Sequence, residues 1–391
     1  MLSNSDLVEL TAFRRLLHQW PETSGEETDT ARRIADALVP LGPTQVLTGF
    51  GGTGVAAIFA SDRPGPTVLF RAELDALPIP EEPGPDWRSQ VPGKGHLCGH
   101  DGHMTILLAL GRLLARRQVA QGRVVLMFQP AEEDGSGARA VVADPRYAEI
   151  APDWVFALHN DPGRPLGEVG LCDGLVNCAS RGLAVTLSGR TAHAATPETG
   201  ISPAPALAEL IPALTALAHG DERSDAFRMA TITHARLGEP TFGIAPGEAL
   251  LHVTLRTAQD DAMAALAAEA DAIITDVAER HGLTVSMTVQ DDFAASINAP
   301  EAVAMVRAAL DALGVPVSGQ GLPMRASEDF GVFGWQAGSA MFCLGSGETC
   351  PPLHDPRYDF PDDLIPIGAA IFERIARDLL GGVAQAARPA R

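Results

Sequence analysis

Residues 96–103 read His-Leu-Cys-Gly-His-Asp-Gly-His, one thiol and three imidazoles within eight positions of a chain with only five cysteines and eleven histidines. Thiolate and imidazole are the ligands that zinc, cobalt or manganese-class ions take from proteins. Three further segments carry side chains of the same kind. Gln129-Pro-Ala-Glu132-Glu133 follows one apolar run, Leu158-His159-Asn160 follows a second, and Pro352-Leu-His354-Asp355 lies near the C-terminus. Each of these residues sits where a hydrophobic strand would end, so the sequence predicts a dispersed metal site.

Taken singly, the same residues have plainer roles. An acidic pair is commonly a solvated loop, and a lone cysteine commonly a small buried side chain. Context favours the metal. Pro130 and the strand-like Val124-Val-Leu-Met-Phe128 anchor Glu132-Glu133 at a sheet edge, where one carboxylate could bind metal while the other handles a proton. Cys98 and His100 are two apart, so in extended backbone they would face the same way and could chelate one centre. Gly95, Gly99 and Gly102 around them suit a ligand loop better than a packed core. His159 and His354 have polar neighbours, Asn160 and Asp355, and the joint occurrence of one Cys, three His and two Glu at strand ends decides for metal. His103 reads as a supporting residue behind the ligands or as packing at a helix start, and His96 is left open. His193, in Gly189-Arg-Thr-Ala-His-Ala-Ala, is either structural or reaches the site across an interface. Arg256 is either a surface charge or a carboxylate receptor, since its planar fork suits bidentate recognition.

The elements that must hold these residues follow from periodicity. Leu7, Leu10, Phe13 and Leu17 predict a helix over residues 4–19, stopped by Pro21. Residues 104–117 are apolar nearly all round, a buried helix directly behind the Cys/His cluster. Strands over 67–72, 123–128 and 154–158 run into Glu73 and Asp75, Glu132, and His159. Alternation of continuous apolar strands with helices predicts an α/β fold with a mostly parallel sheet flanked by helices. Chemistry in such sheets collects beyond the carboxyl ends of the strands. From about residue 180 the texture changes to strand 182–188, helix 202–218, strands 228–237 and 248–257, helix 259–280 and strand 283–289, a ferredoxin-like α+β order. The first texture then resumes with helix 300–313, strand 340–344 and helix 365–380. The predicted organisation is a catalytic domain over 1–178 and 292–391, interrupted by an inserted dimerisation or lid domain over 179–291.

Composition bounds the rest. At 391 residues two domains are the default. A net charge of −20 argues against a nucleic-acid surface. Five cysteines without a Cys-x-x-Cys pair predict a reducing compartment. The first ten residues lack a basic region followed by an apolar core, and no apolar run approaches the roughly 20 residues of a membrane span. A cytoplasmic protein without membrane or nucleic-acid partners is expected.

The blocks together resemble the dinuclear metallopeptidase family of aminoacylases, succinyl-diaminopimelate desuccinylase and glutamate carboxypeptidases. Within it they are similar to the amidohydrolase branch of hippurate hydrolase, auxin-conjugate hydrolases and N-acetyl-diaminopimelate deacetylase. The blocks are Leu17-His-Gln-Trp-Pro-Glu-Thr-Ser-Gly-Glu-Glu, Arg71-Ala-Glu-Leu-Asp-Ala-Leu-Pro-Ile, Cys98-Gly-His-Asp-Gly-His, Phe128-Gln-Pro-Ala-Glu-Glu, Leu158-His-Asn, Gly189-Arg-Thr-Ala-His-Ala-Ala, Ser327-Glu-Asp-Phe and Leu353-His-Asp. The resemblance implies a zinc-peptidase-like catalytic domain with a dimerising insertion, in a homodimer or homotetramer. It implies two divalent ions per subunit (Zn, Mn, Co or Ni) on Cys98, His100, Glu133, His159 and His354. Glu132 would be the general base, Asp75 would orient the site, His193 would be lent by a partner subunit, and Arg256 would contact the substrate carboxylate. Glu73 stands where the family pattern has Asp, Gly243 where relatives carry an Asn, and Ala299 where an Asp is expected. These departures bear on substrate choice and leave the metal set intact.

The implied reaction is hydrolysis of an N-acyl amino acid to a carboxylate and an amino acid. A dipeptidase or exopeptidase on the same scaffold is the enzymatic alternative, and a non-catalytic binding protein the alternative of another class.

Overall fold

The computed structural model describes residues 1–221, 224 and 226–382. The chain divides into two compact units: Met1–Val176 with Ser296–Leu322 and the segment from Asp329 onward, and Asn177–Ala295 with Pro323–Glu328. Set beside the expected 179–291, the second unit is a few residues longer at each end. It also takes in a short return segment that no periodicity marks.

The first unit is built on an eight-stranded sheet in the order Gln45–Phe50, Gly54–Ala60, Arg123–Gln129, Thr67–Glu73, Trp154–Asp161, Gly338–Gly345, Val169–Gly170, Val317–Ser318. Its four central strands run parallel, and antiparallel pairings appear towards both sides. Every residue of Thr67–Glu73 is buried, as a strand covered on both faces requires. Asn4–Gln19, Thr28–Leu38, His100–Arg116, Pro300–Leu313 and Leu364–Leu380 supply the helical cover. The α/β fold expected from the sequence is the one observed. Because the central strands are parallel and in register (Glu73 opposite Gln129, His159 opposite Cys343), their carboxyl ends bring the chemistry-bearing segments to one edge.

The start of His100–Arg116 depends on glycine. Gly99 has φ 94°, and a Cβ there would lie 1.8 Å from Asn160 Oδ1. Gly102 has a different reason from the loop-breaking one inferred from sequence. It lies inside the helix, where a Cβ would come 2.3 Å from the Phe360 ring.

The second unit carries an antiparallel sheet in the order Arg228–Leu237, Glu248–Thr257, Ala179–Ser188, Thr284–Phe293. Helices Ala204–Thr215 and Asp260–Arg280 complete the ferredoxin-like strand–helix–strand–strand–helix–strand order. Along Glu248–Thr257 buried residues alternate with half-buried ones, the pattern of a sheet with one covered face. Among the described residues no helix is long and apolar enough to cross a membrane.

Candidate metal centre

Asp75 lies two residues beyond Thr67–Glu73 and is fully buried. Its main-chain oxygen accepts from His100 Nδ1 at 2.8 Å, and its carboxylate accepts from the Glu133 peptide N–H (2.9 Å) and Ser24 Oγ (2.8 Å). With Nδ1 donating to that carbonyl, His100 turns Nε2 towards the acidic pair. That nitrogen is buried and has no hydrogen-bond partner among the described residues. It faces Glu132 Oε2 at 3.8 Å and Glu133 Oε1 at 3.9 Å. An orphaned imidazole nitrogen held this way by a carbonyl is what metal ligation needs.

Glu132 and Glu133 follow Arg123–Gln129, and a continued strand would send them to opposite faces. Pro130 and Ala131 prevent that: Ala131 has φ 49°, in the left-handed region, and its N–H donates to the buried Glu27 carboxylate at 2.9 Å. The turn brings both carboxylates to His100, and one oxygen of each lies with a His100 nitrogen inside a 4.8 Å cluster.

Cys98 and His100 are brought together by a different route from the extended backbone expected: the left-handed Gly99 turns the chain between them and His100 opens a helix. His159 lies inside a strand that continues to Asp161, rather than just beyond its end. Its Nδ1 donates to the Asn160 carbonyl at 2.9 Å, which leaves the Nε2 lone pair 3.5 Å from Cys98 Sγ. His354, also left-handed at φ 66°, keeps Nε2 3.7 Å from Glu133 Oε2. Two trios with ligand atoms within 4.8 Å result, Cys98–His100–His159 and Cys98–Glu133–His354. They share one sulfur. All five residues expected as ligands therefore converge in the first unit.

The electrostatics suit a cation. Burial alone would depress His100, but Asp75, Glu73 and Glu133 outweigh it and hold the ring up at about 10. Burial, reinforced by Glu133 and Glu132, pushes the Cys98 thiol well above its ordinary value. Burial would raise Asp75, yet His100 and the Glu133 N–H keep it below the usual carboxylate value. Burial pushes His159 down to about 3, so it stands as a neutral ligand. A thiol kept protonated by neighbouring carboxylates becomes a thiolate when a dication takes the proton's place. Nitrogen, sulfur and oxygen donors in two adjoining trios can hold a pair of transition-metal ions.

His103 is not placed as a ligand: Nδ1 meets Glu73 Oε2 at 2.7 Å and Nε2 accepts from the Asn160 N–H at 3.1 Å. His96 is buried with neither ring nitrogen hydrogen-bonded among the described residues. His193 and Arg256 belong to the second unit. His193 is exposed in the short pairing of Ala192–His193 with Ile244–Ala245, and its Nδ1 accepts from the Ala195 N–H at 3.1 Å. The neutral ring therefore carries its proton on Nε2, as an outward donor. Arg256 donates to the Arg325 carbonyl (2.6 Å) and Ser327 Oγ (2.7 Å), and no carboxylate pairs with it among the described residues.

Sequence reasoning missed the residues beneath the acidic turn. Glu27 also accepts from the Gly25 N–H and Thr53 Oγ1, both at 2.8 Å. Asp329 accepts from Arg71 Nη2 (2.7 Å), Gln129 Nε2 (2.8 Å) and the Ala138 N–H (2.8 Å). The only signal was that both lie in the quoted blocks.

The sequence profile of peptidase family M20/M25/M40 matches residues 69–378. The chain belongs to that family. The chain is 37% identical over 251 residues to the N-acetyl-L-cysteine deacetylase of Bacillus subtilis, an alignment spanning 64% of this chain and 59% of that relative. It is 30% identical over 386 residues to IAA-amino acid hydrolase ILR1-like 5 of Arabidopsis thaliana, covering 94% of this chain and 86% of that one. The solved Bacillus subtilis YXEP protein, described as a dinuclear metal binding peptidase from family M20, superposes with TM-score 0.80 at 24% identity over 97% of this chain and 99% of that one. These matches agree with the resemblance read from the motifs. This M20-family chain is a metal-dependent hydrolase of carbon–nitrogen bonds, which removes the non-catalytic alternative.

Proposed function

We propose that this family member is an amidohydrolase that cleaves the amide of an N-acyl amino acid, with two divalent ions on Cys98, His100, Glu133, His159 and His354. The single observation that carries the reading is the pair of ligand trios sharing Cys98 with Glu132 set against them. The family match and relatives named as deacetylase and amino acid hydrolase support the substrate class. When bound, divalent ions supply Lewis acidity, which polarises an amide carbonyl and acidifies a water.

The chain's own residues do the rest. Glu132, 5% exposed and next to His100, takes the proton of the attacking water as the new C–O bond forms. It returns that proton to the amide nitrogen as the C–N bond breaks, releasing an amine and a carboxylic acid, whose remaining proton passes to the amine or to solvent to leave the carboxylate. Asp75 fixes the His100 ring and the Glu133 main chain, so the ligands need no reorganisation. His193, a donor through Nε2, is suited to the developing oxyanion, and losing such a donor typically costs about 3–4 kcal/mol. Arg256, whose guanidinium lacks a carboxylate partner among the described residues, is suited to the α-carboxylate of the amino acid.

The assembly we infer is a homodimer or homotetramer in which His193 serves a neighbouring subunit, and the expected ions are Zn, Mn, Co or Ni. The five free cysteines support a reducing, cytoplasmic setting. The test is an acyl-amino-acid panel, with dipeptides alongside, assayed before and after chelation and after readdition of each ion. Turnover of acyl amino acids that chelator abolishes and metal restores is the expected result. Turnover of dipeptides alone, or activity indifferent to chelator, would overturn the proposal.

A further inference from the structure

The first unit contains a buried hydrogen-bond chain that no ligand role accounts for. Arg71, fully buried, donates from Nε to Gln129 Oε1 (2.8 Å) and from Nη2 to Asp329 Oδ1 (2.7 Å), and its third arm pairs with Glu73 Oε1. Glu73 Oε2 then lies 2.7 Å from His103 Nδ1. On the far side of that ring, the peptide N–H of Asn160 donates to Nε2 at 3.1 Å. A peptide N–H can only donate, so Nε2 carries a lone pair and the ring's proton sits on Nδ1, towards Glu73. The Asn160 side-chain Oδ1 lies 3.0 Å from the same Nε2; with that nitrogen an acceptor, the amide must be turned over so that its NH2, otherwise without a partner among the described residues, faces the ring. The main-chain carbonyl of this same Asn160 accepts from His159 Nδ1 at 2.9 Å.

We propose that Glu73 and His103 are positioning residues for His159: through Asn160 they fix the carbonyl that aims His159 Nε2 at the metal centre. This deepens the proposed function and rests on its reading of His159 as a ligand. The chain explains a departure noted in the sequence. Glu73 is one methylene longer than the family's Asp, and here it spans from the Arg71 guanidinium to the His103 ring. It also explains why His103, close to His100 and Glu73, lends no lone pair to a metal: its one acceptor site is taken by Asn160. Asn160 is thereby held at both ends, its N–H by His103 and its carbonyl by His159.

Titration of the metal-free full-length protein with Co(II) tests this, using absorption to read the thiolate-to-cobalt and d–d bands and a competing chelator to give dissociation constants. In Glu73→Gln and His103→Gln, affinity for the ion that His159 holds should fall about 10–100-fold with a shifted d–d band. The second ion should bind as before, and Glu73→Asp should restore part of the loss. Unchanged affinity and spectrum for both ions in the two Gln variants would overturn the inference. A wild-type protein that takes up no cobalt would instead overturn the metal-site reading. Imidazole nitrogen shifts of the unsubstituted, metal-free protein decide the matter independently of any variant's folding. His103 should be the Nδ1–H tautomer, and an Nε2–H tautomer would sink the proposal.

Discussion

Replacing Cys98 with alanine should cost both metal ions, whereas His159→Ala or His354→Ala should each cost one. The expectation comes from geometry: Cys98 is common to the two trios, His159 belongs to the first and His354 to the second. A complete protein zinc site is worth about 10–16 kcal/mol over four ligands, so one ligand corresponds to about 3 kcal/mol, or about 10²-fold in Kd. Losing the shared sulfur should weaken both ions by that factor, because each trio drops to two protein donors. The folded core should tolerate the change, since Cys98 is small and Ala removes one sulfur atom. Metal-free protein would be loaded, passed through gel filtration and analysed for metal, with stoichiometry falling from two to near zero for Cys98→Ala and to one for each histidine variant. One ion held with undiminished affinity in Cys98→Ala would show that the thiolate serves a single ion. Two ions so held would remove the residue from the site altogether.

Three other outcomes follow from the same structure. Glu132→Gln should keep its metal while kcat falls about 10²–10⁴-fold, the usual contribution of a positioned base, and near-wild-type turnover would refute the role. Mixing inactive His193→Ala with inactive Glu132→Gln should restore roughly a quarter of wild-type activity, because half the dimers formed by random exchange hold one site with both groups intact. No recovery, with exchange verified, would refute the lent histidine. Burial works against a charge on His18, but Asp101 and Glu81 prevail and hold it at about 9 against an ordinary 6.5. Its protonated ring should therefore stabilise the fold fully below about pH 6.5, and the contribution should fade as pH rises through about 9. The Tm gap between wild type and His18→Gln should narrow over that range, and a gap that holds or widens would contradict the assignment.

Much of the scaffold was legible because its signals are local. The apolar runs before Glu73, Glu132 and His159 are buried on both faces and became central parallel strands, and the all-round apolar stretch behind His100 became the covering helix. Glu248–Thr257 was legible as a strand, and the structure adds the alternation of buried and half-buried residues that gives its sheet one covered face. What periodicity could not show was the backbone between elements. Cys98 and His100 meet because Gly99 is left-handed, and the extended spacing assumed from sequence would have aimed them by another route. Arg71, on a central strand, and Asp329, at the start of the short helix Asp329–Trp335, are 258 positions apart and meet only in the folded chain.

Strain marks the same boundary between what patterning reveals and what it hides. Only three non-glycine residues among those described have positive φ, and two of them, Ala131 and His354, belong to the turns that carry Glu132, Glu133 and His354 itself. Each such conformation costs on the order of 1–3 kcal/mol, so it persists only where the surroundings over-determine it. They do so here: Glu27 holds the Ala131 N–H, Gly137 donates to the Ala131 carbonyl at 2.9 Å, and the His354 N–H donates to the Leu97 carbonyl at 2.8 Å. Nothing in the types Ala and His announces a left-handed residue. The fold's own rigidity therefore supplies the energy that turns two adjacent glutamates to one side. Without that turn, the acidic pair read from sequence would be divided between opposite faces of a strand, with one carboxylate unable to reach His100.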